Sequence, residues 1–109
     1  MASDRAKREM ARLEALGLTE TVSYMTGNED ARAISACVDR QAATPMMQGV
    51  VFENQVCVLN DPLLGIDAAN MDVGSDRIEL AERVGGTAKA RGIQRIISQD
   101  ADFLTLAVQ

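Results

Sequence analysis

The stretch Ile93-Gln-Arg-Ile-Ile-Ser-Gln-Asp-Ala-Asp-Phe-Leu-Thr-Leu-Ala-Val108 decides the fold class. Ile93, Arg95 and Ile97 are set against Ile96, and Leu104, Leu106 and Val108 alternate with Phe103, Thr105 and Ala107. The polar run Ser98-Gln-Asp-Ala-Asp102 between them is turn material. A repeat of two places one set of side chains on a single face of a strand, so this segment reads as a terminal β-hairpin with one face turned to a core.

Working back toward the amino terminus, Arg77-Ile-Glu-Leu-Ala-Glu-Arg-Val84 places Ile78, Leu80 and Glu82 on one face, a strand ended by Gly85-Gly86. Its Glu and Ala are also good helix formers. Val50 to Leu59 is a further β run with Val56 and Val58 on one face. Asn60-Asp61-Pro62 stops it, because proline cannot donate to a ladder. Residues 63–76 are expected to be irregular, with Leu64-Gly-Ile66 packed back onto the sheet. Gln41 to Gly49 holds Pro45 and the pair Met46-Met47 and fits neither period, so a loop is expected there. Thr21 to Thr26 and the alternating Ile34, Ala36 and Val38 form another hairpin around Gly27-Asn-Glu-Asp30.

At the start of the chain, Ala6, Met10, Leu13 and Ala15 or Leu16 recur at helical spacing. Ser3 or Asp4 can serve as N-cap and Gly17 as the stop. This apolar stripe is narrow, so the helix should pack on a sheet edge or a neighbouring subunit. The expected fold is one mainly β domain over residues 1–109: a small barrel or sandwich of five to six strands with one N-terminal α-helix.

Composition narrows the function. The 109 residues are 47% hydrophobic and 25% charged, the balance of a folded domain. Tyr24, Phe52 and Phe103 are the only aromatic residues and the net charge is −5, which suits neither base stacking nor a grip on phosphates. No apolar run approaches the roughly 18 to 20 residues of a membrane span, and the amino-terminal residues do not read as a signal peptide. A soluble protein made in a cytoplasm is expected. Cys37 and Cys57 each lie in an apolar run, so two buried reduced thiols are expected ahead of a disulfide between adjacent strands.

Signs of chemistry are sparse. The chain has no His, which removes the commonest general base and metal ligand. Asn70, Asp72, Gly74, Asp76 and Glu79 put oxygen ligands at spaced positions but depart from the twelve-residue calcium loop, and a polar turn accounts for them. Gly85-Gly86-Thr87-Ala-Lys89 lacks the spacing of a phosphate loop. Glu79 with Glu82, and Asp100 with Asp102, read as solvated surface. No enzyme activity, cofactor or metal is expected.

From about Gln48 onward a succession of features is carried by spacing and hydrophobic order. It runs Val56-Cys-Val-Leu-Asn-Asp-Pro62, Gly65-Ile66, Met71-Asp72 with Asp76, Ile78-Glu-Leu-Ala-Glu-Arg83 with Gly85-Gly86, Ile93 to Ile97, Gln99-Asp100 and Leu104-Thr-Leu106. This succession resembles the head-tail joining, or head-completion stopper, proteins of long-tailed phages. The low aromatic content and the helix-prone 77–84 segment depart from that pattern.

The resemblance implies a structural virion protein of the neck, assembled in the host cytoplasm as a hexameric or dodecameric ring. It would sit between the portal-adaptor proteins and the tail terminator or tail tube, closing the DNA channel after packaging and offering the docking surface for the tail. Double-stranded DNA would pass without specific binding, helped by an acidic chain that repels phosphates. By position, Gln41, Pro45, Met46, Met47 and Gln48 match the family's channel-closing loop. The plainer reading of that loop is one that orders against the adaptor or tail. Met10, Leu13, Leu63, Leu64, Ile66 and Met71 are the candidates for subunit or adaptor contacts, against ordinary packing on the barrel. Two other readings compete: a tail-terminator ring, which would carry more helix, and a monomeric β-barrel binding module with a concave apolar pocket.

Overall fold

The structure, a computed structural model, describes residues 2–27 and 31–109. The expected turn Gly27-Asn-Glu-Asp30 lies, apart from Gly27, outside the described residues. The elements are α1 (Asp4–Ala15), β1 (Glu20–Met25), β2 (Arg32–Met46), β3 (Gly49–Leu59), β4 (Arg77–Leu80), β5 (Lys89–Gln99) and β6 (Phe103–Val108).

The strands close into an antiparallel barrel in the order β1-β2-β3-β6-β5-β4, with β1 and β4 completing the ring. Closure removes the sheet edges that an open sheet of this size would expose. The expected barrel with an N-terminal helix is therefore the fold. Its interior is filled by the alternating apolar residues of every strand: Val22 and Tyr24, Ile34 and Ala36, Val56 and Val58, Ile78 and Leu80, Ile93, and Leu104, Leu106 and Val108. These are aliphatic apart from Tyr24, whose hydroxyl donates to the buried carboxylate of Asp76.

The segment between β3 and β4 supplies the plug of this core. Ile66 is fully buried, and the chain doubles back to bring it there through Ile66 N–H bonding to the Leu59 carbonyl at 3.0 Å. So tight a return requires glycine at position 65, because a Cβ there would lie 1.9 Å from the Leu59 carbonyl oxygen. Asp61, which is buried, holds the bend by accepting from the Leu63 and Leu64 amides at 2.9 and 3.0 Å. Those bonds hold its carboxyl below the usual carboxylate range, with a smaller contribution from Lys7. Arg32, stacked 5.7 Å over Tyr24, donates to the Leu63 and Gly65 carbonyls and ties the same bend to β2.

Helix α1 starts at Ser3, whose hydroxyl accepts from the Ala6 amide, and ends before Gly17 at φ +73, as the sequence leads one to expect. A closed barrel has no sheet edge to cover. The helix instead packs on the barrel's end, where Ala2, Ala6 and Met10 join Leu59 and Phe103 in a second apolar cluster. Polar ties reinforce it: Ser3 N–H to Asp102 at 2.9 Å, and Lys7 to Asp61 at 3.5 Å.

The expected strand over 77–84 is shorter in the structure. β4 stops at Leu80 because β1 pairs with it only over Ser23–Met25 and β5 only over Lys89–Gly92. Beyond it Glu82 to Lys89 are exposed. In β5 the alternation breaks at register shifts between Ile93 and Arg95 and between Ile96 and Ser98, which leave Ile96 and Ile97 on the surface. Among the described residues no helix is long and apolar enough to cross a membrane.

Candidate functional site

The largest departure from the sequence reading falls on residues 41–49. They do not form a loop: β2 runs on through Met46, turns at Met47 and Gln48, and returns as β3 with the pairs Ala42 to Glu53, Ala43 to Phe52, Thr44 to Val51, Pro45 to Val50 and Met46 to Gly49. β1 leaves β2 at Ala36, and β6 meets β3 only from Asn54. Among the described residues the tip of this hairpin therefore pairs with nothing but itself, a two-stranded arm extending beyond the barrel. Pro45 is tolerated because the outer side of β2 has no ladder to join there.

The arm joins the barrel at a β-bulge. Between the pairs Asp39–Gln55 and Ala42–Glu53, the two residues Arg40 and Gln41 face the single residue Asn54. Gln41 takes a positive φ of 57°, a conformation that costs a non-glycine residue energy unless its surroundings hold it. Asn54 does the holding. Buried, it accepts from Gln41 N–H at 3.2 Å and donates to the Gln109 carbonyl at 3.0 Å.

Two ion pairs flank this joint. Arg40 grips Glu20 of β1 with both terminal nitrogens, at 2.8 and 2.6 Å, and donates its Nε–H to the Ala81 carbonyl beyond β4 at 3.0 Å. On the other strand, Glu53 is buried and accepts two bonds from Arg95 of β5, at 2.6 and 2.7 Å. The hydrogen bonds to their carboxylate partners push both guanidinium groups above their ordinary pKa. Paired forks of this kind fix direction as well as distance, so the base of the arm is held to β1, β5 and the residue after β4.

The arm beyond this clamp is uncharged, and its side chains at Ala43, Pro45, Met47, Val50 and Phe52 are exposed. Residues 41–52 contain no Asp, Glu, Lys or Arg. Phe52 is 63% exposed, Val50 57%, and Met47 fully exposed at the turn. Large apolar side chains on a two-stranded ribbon form a contact surface that none of the described residues covers.

The residues expected from sequence divide accordingly. Pro45, Met46, Met47 and Gln48 lie on the arm, and Gln41 forms its bulge. Of the candidate contacts, Met10 and Ile66 are buried in the chain's own clusters, Leu13 is half-buried, and Met71 packs against the main core. Only Leu63 and Leu64 are exposed, beside a groove of about 250 Å³ between α1 and β2 that Met10, Ala11 and Ile34 also line. Sequence reasoning missed Arg40, Glu53, Asn54 and Arg95. The available signal was the polar triplet Glu53-Asn-Gln55 interrupting the apolar run from Val50 to Leu59.

The acidic segment serves the fold. Asp72 accepts from Gly74 N–H and Ser75 Oγ, and Asp76 from Tyr24 and Asp72 N–H. Among the described residues, no three His, Cys, Asp or Glu converge as a metal site would require. The cysteines also differ from expectation. They face each other across β2 and β3 and are half-buried on the barrel's outer side, since Ala36 and Val56, their neighbours, take the core-facing positions.

Comparison with models of protein families and with curated proteins returned no match.

Proposed function

We propose that this chain is a non-enzymatic structural subunit that works through its hairpin arm, as a stopper-type ring protein in the neck of a tailed phage or phage-derived particle. One observation carries the reading: a two-stranded arm with exposed Met47, Val50 and Phe52, held at its base by paired ionic clamps, and beyond the barrel paired, among the described residues, with its own two strands alone. A ribbon so directed and so uncovered suits contact with other subunits. In a ring, neighbouring arms converge, and their apolar faces cover one another. An uncharged tip offers DNA phosphates no cationic partner, so the duplex passes without being held. Portal-adaptor proteins would meet one face of the ring and the tail tube or its terminator the other.

The tail-terminator reading draws less support, since α1, with 12 residues, is the one helix among those described. A monomeric binding module draws on the groove beside Leu63 and Leu64. Deleting the coding sequence from the parent element separates these readings. The neck reading expects tailless heads that fail to retain their packaged DNA, rescued in trans by the full chain but not by one whose residues 42–52 are replaced with an Asn-Gly turn. Tailed, infectious particles from the deletion would overturn it.

A further inference from the structure

Cys37 and Cys57 are direct cross-strand partners of an antiparallel pair. Residues so opposed have Cα atoms about 4.5 to 5.5 Å apart, inside the range of roughly 4.4 to 6.8 Å that a disulfide spans. Both thiols are reduced, half-buried and on the outer face. They share a surface hollow with Leu18, Asp39, Gln55 and Thr105, which gives a small reagent access to the sulfurs. The pair lies three residues from the bulge at Arg40 and Gln41, and so directly beneath the arm.

We propose that Cys37 and Cys57 are a thiol-oxidation site, closed to an intramolecular cross-strand disulfide by a low-molecular-weight disulfide such as glutathione disulfide. One cysteine thiolate attacks a glutathione sulfur, forming a mixed disulfide and expelling one glutathione thiolate. The second thiolate then attacks the protein-bound sulfur and expels the other. Two protein thiols are oxidised, one glutathione disulfide is reduced to two glutathione thiols, and the protons lost by the cysteines pass to the leaving thiolates. Burial, with Cys57 adding to it, raises the Cys37 thiol above its ordinary range, so closure is slow at neutral pH and speeds up in alkali. The closed bond fixes β2 to β3 where the arm is rooted. A cytoplasm keeps the pair open; oxidising surroundings close it.

The test incubates the purified, reduced chain with glutathione disulfide at several pH values, followed by intact mass, thiol titration and non-reducing peptide mapping. The expected product is a monomer lighter by two hydrogens, with a single Cys37–Cys57 linkage, a raised urea midpoint and full reversal by dithiothreitol. Cys37→Ser and Cys57→Ser should each stop at the glutathione adduct. A wild-type chain that keeps both thiols titratable while folded, accumulates the mixed disulfide, or links to a second copy would overturn the assignment.

Discussion

Replacing Gly65 with alanine tests how the barrel is plugged. The added Cβ would sit 1.9 Å from the Leu59 carbonyl oxygen and 2.8 Å from its carbon, both backbone atoms of β3. To reach ordinary contact the bend must open by more than about 1 Å. That movement pulls on three hydrogen bonds: Ile66 N–H to Leu59, Gly65 N–H to Asp61, and Arg32 to the Gly65 carbonyl. At about 1 kcal/mol each they contribute some 3 kcal/mol, and partial withdrawal of Ile66 from the core adds about 1 kcal/mol more. A loss of about 4 kcal/mol lowers the urea midpoint by roughly 2 to 3 M. Gly74→Ala is the control, since its Cβ would meet only the Asp72 side chain at 3.4 Å and should cost under about 0.5 kcal/mol. Equilibrium urea unfolding followed by circular dichroism measures both. A Gly65→Ala chain within about 1 kcal/mol of wild type would mean that the bend does not need glycine at this position.

Asn54→Ala leaves Gln41 N–H without its side-chain acceptor and the Gln109 carbonyl with Arg91 as its remaining side-chain donor, and should cost about 2 kcal/mol in urea while the Gln41 amide exchanges faster with deuterium. Asp61 has a folded pKa below its unfolded one. Its contribution to stability is complete above the ordinary carboxylate range and is lost as pH falls through the lowered folded value. Asp61→Asn should therefore be less stable than wild type at neutral pH, with the gap narrowing in acid; a gap constant with pH in unfolding titrations would count against this. Phe52→Ser should leave the barrel's stability within about 0.5 kcal/mol, because that ring is mostly exposed, yet remove tail attachment in the complementation assay.

What could be read in the sequence follows from which strands bury one face. β3, β6 and the core part of β2 alternate because their inner residues pack, and Ser3 and Gly17 mark the helix by local backbone chemistry. The arm was not legible for the same reason inverted. A ribbon whose Ala43, Pro45, Val50 and Phe52 face is exposed imposes no hydrophobic period, and Pro45, usually a sign against a strand, sits at an unpaired edge. β4 shows the complementary limit: no turn residue stands between Leu80 and Gly85 in the sequence, but a strand lasts only as long as its neighbours pair with it. The meeting of Cys37 with Cys57 depends on the register of a hairpin shifted by a bulge, and that of Glu53 with Arg95 on strands distant in sequence, neither of which local pattern encodes.

Single-particle imaging of the neck of the parent element's tailed particles is the sharpest check on the neck reading. The expected density is a ring of six-stranded barrels between the portal-adaptor stack and the tail tube, with the 40–53 arms directed at the axis and meeting through Met47, Val50 and Phe52. A neck resolved to side chains with no such ring, or with the ring present and its arms turned away from every neighbouring chain, would contradict it.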